Sequence, residues 1–408
     1  MQERDSDFIV PVPEEPEKKR HPLRRWLIFA AVALLVLAIL LAYLTTQTTL
    51  LDGMVRSLRY IGTDTESRIT YESYGVTAYV PACGGLAIAS HSGVTLFSES
   101  GSQLGKHQAE LTAPAIEGTP DALLLYDVGG SFFGVMSARG KLTQSGTVTG
   151  QLLDACLAEN GALAVLSTAD DARAVAEVYD ANGALLYRRT SKTTYLNVCA
   201  LSPDGGWLAL ATLGQQDIAF SSGVKLFRTN SEDEAAELSF GGQIIYDMKF
   251  LDGSTVCAVG SRSAVFFRTD GTLLGEYDYD GADLLGYTMG GSCVALTLDR
   301  HQAGSRYALV VLSQDGTARA QLSLSDAPEH LSAAGEYLAV LTPQTMTIYN
   351  MQLEEQFSCE NGGWLRAFAR RDGTALLAGS GEAELYIPYP DRFFAAGVLS
   401  LRRKGVKL

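Results

Sequence analysis

From about residue 66 onward, glycine turns recur in two phases roughly every 40 residues, and no other feature restricts the fold as tightly. One phase lies just before short apolar runs: Gly84-Gly85 before LAIAS, Asn160-Gly161 before ALAVLS and Asp204-Gly205 before GWLALAT. It continues at Asp252-Gly253, Gly290-Gly291, Ala334-Gly335 and Asp372-Gly373, with 44, 48, 38, 44 and 38 residues between successive second glycines after Gly161. The other phase follows strands that end in apolar or aromatic residues, at Gly183, Gly271 and Gly316. Asn-Gly and Asp-Gly suit tight hairpins whose two central residues take positive φ. Two hairpin turns per unit imply four antiparallel strands per unit.

Repeats of that kind build β-propellers, because a four-stranded sheet cannot bury its apolar faces alone and must lean on its neighbours. The chain is therefore expected to be all-β, with about eight four-stranded blades starting near residues 76, 113, 149, 192, 241, 281, 326 and 361. Seven is the alternative if the weak unit at 113–148 merges with a neighbour. An open ring would leave sheet edges free to pair with other chains. The last unit shows only three strands before Pro388, and ESRITYES at 66–73 alternates like a strand ahead of the first blade. That segment is expected to supply the missing outer strand of the last blade.

Upstream of the repeat, Trp26 to Leu44 form 19 consecutive apolar residues with no charge, Gly or Pro. At ~1.5 Å per residue such a helix spans a hydrocarbon core of roughly 30 Å. Lys18, Lys19, Arg20, Arg24 and Arg25 flank it on one side, which puts the N-terminus in the cytoplasm and the repeat outside. The run is longer than the core of a cleavable signal and lacks its small-residue site. The plan that follows is a tail over 1–25, a span over 26–45, a linker over 46–65, a propeller over 66–390 and a basic, apolar tail over 391–408. In that last tail Phe393, Phe394, Val398 and Leu399 are expected to form one face of a short helix docked on the propeller. The net charge is −14, and the six acids and six bases of residues 1–25 cancel, so the acidity belongs to the part after the span. An acidic domain repels phosphate backbones, which argues against nucleic acid as a partner.

HSGVTLFSESGSQLG, VFFRTDGTLLGEY and ALVVLSQDGTARA resemble the quinoprotein-like repeat, and LSPDGGWLALAT resembles the turn–strand element of WD40-like and TolB-like propellers. With the basic-flanked apolar run, the chain resembles an uncharacterised bacterial family of single-pass membrane proteins that carry such a propeller. The resemblance implies a fold and no reaction. Quinoprotein dehydrogenases dock their blades with tryptophans and stack the cofactor on one. Here Trp26 falls in the apolar run and only Trp207 and Trp364 remain for eight blades, so no quinone or other cofactor is expected.

Local chemistry is sparse. The six cysteines, Cys83, Cys156, Cys199, Cys257, Cys293 and Cys359, form no C-x-x-C pair; they read as small buried hydrophobes, and their spacing leaves open whether any of them pair. No H-E-x-x-H or G-x-S-x-G element occurs, and the five histidines are dispersed. In Tyr277-Asp278-Tyr279-Asp280 the alternation reads as rings facing in and acids facing water. The informative feature is loop length. Gly253 to Gly271 takes 18 residues, whereas Gly161 to Gly183 takes 22 and Gly291 to Gly316 takes 25. The additions fall between second and third strands, at 168–173, 213–223 and 299–306, on the face that also carries the links between blades. Asp170, Asp171, Arg173, Gln215, Gln216, Asp217, Asp299, Arg300 and His301 are therefore the candidate recognition rim.

The function expected is that of a non-enzymatic, membrane-anchored binding or scaffold protein that recognises a protein, a peptide or a cell-wall polymer outside the cytoplasm. Two alternatives stay open: a ligand sensor signalling through the span, and an extracytoplasmic hydrolase or lyase with acids and histidines clustered in the central funnel.

Overall fold

The computed structural model describes residues 34, 68–216, 219–290, 293–301 and 306–388. Outside them lie the predicted tail 1–25, the linker 46–65, all of the predicted span but Leu34, Asp217 and the tail 391–408. Among the described residues no helix is long and apolar enough to cross a membrane.

The described residues form eight four-stranded antiparallel sheets in a β-propeller, so the weak unit is a full blade. Blades 1 to 7 occupy residues 76–108, 114–147, 152–191, 195–239, 245–278, 283–324 and 330–360, each with its strands in chain order. Blade 8 takes three strands from 366–386 and its outer strand, Arg68–Thr70, from the start of the domain. Arg68 pairs with Glu384, Ile69 with Ala383 and Thr70 with Glu382. The expected closure by 66–73 is thus observed.

Strand periodicity explains why the units need one another. Successive side chains point to opposite faces, so a blade's second strand feeds two interfaces at once. In blade 4, Leu208 and Leu210 pack against blade 3, while Ala209 and Ala211 pack against blade 5. In blade 1, Leu86 and Ile88 pack against blade 8 and Ala87 and Ala89 against blade 2. The x-L-A-h-h pattern is therefore a large face meeting a small one. Each of the eight interfaces has its own buried apolar cluster, and the one between blades 8 and 1 contains Ile69, which is 1% exposed. Burying such a side chain contributes about 1.5–3 kcal/mol.

Several turns differ from expectation in one respect. In these only the glycine is left-handed: Gly161, Gly205, Gly183 and Gly271 have φ of 85°, 69°, 86° and 84°, whereas Asn160, Asp204 and Asp270 are not left-handed. Gly161 N donates to Ala158 O and Gly183 N to Asp180 O, closing an ordinary turn that ends in a glycine bulge. The preceding side chain has a different task. Asp252 Oδ1 accepts from Ser254 N and Thr255 N, and Asp180 Oδ1 from Asn182 N and Ala184 N. Asp and Asn are selected there as hydrogen-bond acceptors for the turn.

Candidate functional site

Each blade's first strand is innermost, and its starting end lies beside the hairpin joining the second and third strands: Tyr195 pairs with Leu213, and Asp283 with Asp299. Links between blades and second-to-third hairpins therefore share one face. The longest hairpin there belongs to blade 4, where Trp207–Gln216 pairs with Ala219–Arg228 out to Gln216 opposite Ala219.

The innermost strands of five blades are bulged near that end, skipping Thr77, Leu153, Asn197, Tyr246 and Leu285 in the pairing. A bulge puts two residues opposite one and re-aims the extra side chain. In blades 5 and 6 the re-aimed residues are Tyr246 and Leu285, 51% and 44% exposed. Tyr195 at the start of blade 4 and Leu365 just before blade 8 are also exposed, as is Tyr74 ahead of blade 1. Large apolar side chains thus stand in water around the mouth of the ring.

The predicted rim is distributed over this face. Asp170 and Asp171 form the exposed tip of the hairpin in blade 3. Arg173 hydrogen-bonds the Tyr195 hydroxyl and lies 4.7 Å from the centre of its ring, joining blade 3 to the start of blade 4. Gln215 and Gln216 lie in the long hairpin of blade 4. In blade 6, Asp299 is buried: it accepts from His301 N at 2.9 Å and from Arg306 Nε at 2.8 Å, and Arg306 holds its carboxyl below the usual range. Asp299 therefore organises its loop from inside, while His301 Nε2 meets Asp283 Oδ2 at 3.0 Å on the surface. Arg300 faces the side-chain amide of Gln321 on the outer strand. Blade 5 stands between the rim residues of blades 3 and 4 and those of blade 6.

Further inside is a set of contacts that sequence reasoning missed. Neighbouring innermost strands are joined by polar side chains reaching backbone groups of the next blade. Glu117 accepts from Leu157 N at 2.9 Å, and Asp154 from Cys199 N at 2.8 Å. Asn197 donates to Ile245 O at 2.8 Å, the Thr288 hydroxyl accepts from Ala333 N at 3.2 Å, and the Ser332 hydroxyl from Ala369 N at 3.2 Å. Between blades 5 and 6 the link is side chain to side chain, Tyr287 donating to Asp247 at 3.2 Å. Loss of solvation raises the carboxyls of Glu117, Asp154 and Asp247, Asp154 to about 7, with Asp247 adding to the rise at the other two and Lys249 opposing it at Glu117 and Asp247. The only hint in the sequence is a polar residue recurring within an apolar first strand, as in LLDACL, YLNVCAL and IYDMKF.

Where these strands end on the opposite face, a cavity of about 80 Å³ is lined by residues that include Glu117, Cys156, Lys249 and Pro203. Among the described residues no group of three or more His, Cys, Asp or Glu is placed to hold a metal. His330, also on an innermost strand, is committed to Ala367 O of blade 8 at 3.0 Å. The Tyr277–Asp280 segment alternates as read, with Tyr279 buried and Asp278 and Asp280 exposed.

A family described as one of unknown function (DUF5711) matches residues 56–372. No curated protein matches the chain. Among solved structures, the C-terminal WD40 domain of Sif2 superposes with a TM-score of 0.55 at 10% identity, over 78% of this chain and 99% of that one. BamB from Moraxella catarrhalis superposes with a TM-score of 0.51 at 15% identity, over 80% of this chain and 97% of that one. At such identities the likeness is one of fold.

Proposed function

We propose that this chain, which belongs to DUF5711, a family of unknown function, is a non-enzymatic binding or scaffold protein whose propeller holds a protein or cell-envelope partner close to a membrane. The observation that carries the reading is the mouth of the ring. Tyr195, Tyr246, Leu285 and Leu365 are exposed on the face where the long hairpins emerge. Exposed rings and leucines set among polar loops are the composition of a docking centre with a polar rim. Asp170, Asp171, Arg173 and His301 supply that rim. The buried acids support a binding role over a catalytic one, because Glu117 and Asp154 each bond to the backbone of the next blade and Asp247 to Tyr287. Anchoring is read from the apolar run at 26–44 and its basic flank, with the propeller on the outer side of a bacterial cell membrane.

Two experiments test this reading. A photo-crosslinker placed at Tyr246 in the full chain, in cells, should capture a defined partner. With the crosslinker kept at Tyr246, Tyr195→Ala, Leu285→Ala and Leu365→Ala combined should cut its recovery by about tenfold or more while the melting temperature holds. Capture that is unaffected by the triple variant would count against the mouth as the docking site. For the anchor, the chain should sediment with membranes, and protease added to cells stripped of their outer layers should digest the propeller. A propeller still protected until the membrane is breached would place it inside.

A further inference from the structure

Cys156 and Cys199 lie on the innermost strands of blades 3 and 4, with Sγ of Cys199 3.8 Å from Sγ of Cys156. All six cysteines are free thiols, and among the described residues this is the pair in sulfur–sulfur contact. The strands around them are pinned. Asp154, two residues before Cys156, accepts the N–H of Cys199 itself, and Glu117 of blade 2 accepts the N–H of Leu157, the residue after Cys156. The sulfurs are therefore held face to face by backbone contacts independent of their own chemistry. A disulfide bond is ~2.05 Å long, so oxidation has only to draw two sulfurs already in contact closer together.

We propose that Cys156 and Cys199 are a dithiol–disulfide pair that cross-links blades 3 and 4. Cys156 is the entry point, being only partly buried and lining the cavity of about 80 Å³, whereas Cys199 is 3% exposed. In the presence of a small external disulfide, the Cys156 thiolate attacks one of its sulfurs and releases the other as a thiolate. The Cys199 thiolate then attacks Cys156 Sγ and displaces the second half. Two protein thiols lose two electrons and two protons, and the external disulfide leaves as two thiols. The surroundings mark the pair as a structural cross-link and not as a catalytic dithiol. Contact with Cys156, then burial, pushes the Cys199 thiol well up; at Cys156 the hydrogen bond from Cys199 lowers the thiol, but burial and the carboxylates of Glu117 and Asp154 outweigh it. Neither thiol is the readily ionised, low-pKa kind that redox enzymes use, so the bond forms slowly and faster at alkaline pH. It joins the two blades that carry Arg173 and Tyr195, yet it stands whether or not that face binds a partner.

The full chain, incubated with oxidised glutathione at alkaline pH, then denatured and alkylated, should show its free thiols fall from six to four. Trypsin cuts after Lys141, Arg173, Lys192 and Lys225, so peptide 142–173 should appear joined to 193–225, each holding one cysteine. Dithiothreitol should separate them, and Cys156→Ser or Cys199→Ser should leave five free thiols under the same oxidation. The oxidised native chain should melt several degrees above the reduced one, with no such difference in the double variant. Six free thiols after prolonged oxidation, or linked peptides dominated by other cysteines, would overturn the proposal.

Discussion

Asp154 receives the backbone N–H of Cys199 at 2.8 Å, so a carboxyl of blade 3 holds the innermost strand of blade 4. Its carboxyl is pushed up to about 7, chiefly by lost solvation, with the charge of Asp247 adding to the rise. An unfolded chain would ionise it near ~3.9. Between those values the folded state binds the extra proton, so the contribution is largest below the unfolded pKa and declines until pH reaches about 7. Measured against Asp154→Asn by thermal melting, the native chain should gain stability as pH falls from about 7 toward ~5. The difference should be flat above that window. A native-to-variant difference independent of pH would remove Asp154 as the titrating link.

His330 has the opposite sign. Burial, then the neighbouring charge of Arg366, lowers it to about 4, although the Ala367 carbonyl opposes the shift. The unfolded side chain takes its proton near ~6.5, so stability falls as pH drops from there toward 4. Relative to His330→Gln, the native propeller should lose stability on acidification through that range. Because the two slopes oppose each other in the native chain, only comparison with the two variants separates them.

Ring closure should depend on packing more than on charge. Ile69→Ala removes a side chain buried between blades 8 and 1 and should cost about 2–4 kcal/mol in denaturant unfolding. Arg68 pairs with Glu382 and Glu384 at 3.3 and 3.7 Å but is 59% exposed, so Arg68→Ala should cost at most about 1 kcal/mol. Equal costs would mean that the strand is held by its charges.

Outer strands also leave room for their neighbours' turns. A Cβ on Gly275 of blade 5 would collide with the backbone carbonyl of Asp315 in blade 6, and Gly105 of blade 1 meets Gly140 of blade 2 in the same way. Gly275→Ala should therefore destabilise the chain by about 1–3 kcal/mol. Gly253 has an ordinary φ and open space around the added carbon, so Gly253→Ala should stay within about 0.5 kcal/mol of native in the same unfolding measurement.

The fold was legible because its signals are local and repeated. Glycine turns, alternating runs and the orphan strand at 66–73 each lie within a dozen residues, and the blade starts read from them fall within about five residues of those observed. The site was legible only in part. Extra hairpin length at 168–173, 213–223 and 299–306 is a local signal, and it pointed to the face that carries the links between blades. Burial of Asp299 was not visible, since it depends on Arg306 folding back from the far end of the same loop. Nor could the sequence show that Tyr246 and Leu285 are turned outward, because a one-residue bulge reverses facing without altering composition. Glu117, Asp154 and Cys156 act across blades on groups about 40 residues away, beyond any local pattern.

Arg68 and Glu382, joined at the seam of the ring, are 314 residues apart in the chain. During synthesis the seam's first half leaves the ribosome before any blade exists and waits for the last blade to be made. A chain stopped just short of its final strands keeps most of its blades and loses the contact that closes them into a ring. Premature termination late in the message should accordingly yield a sticky, degradable product and not a slightly shorter working one.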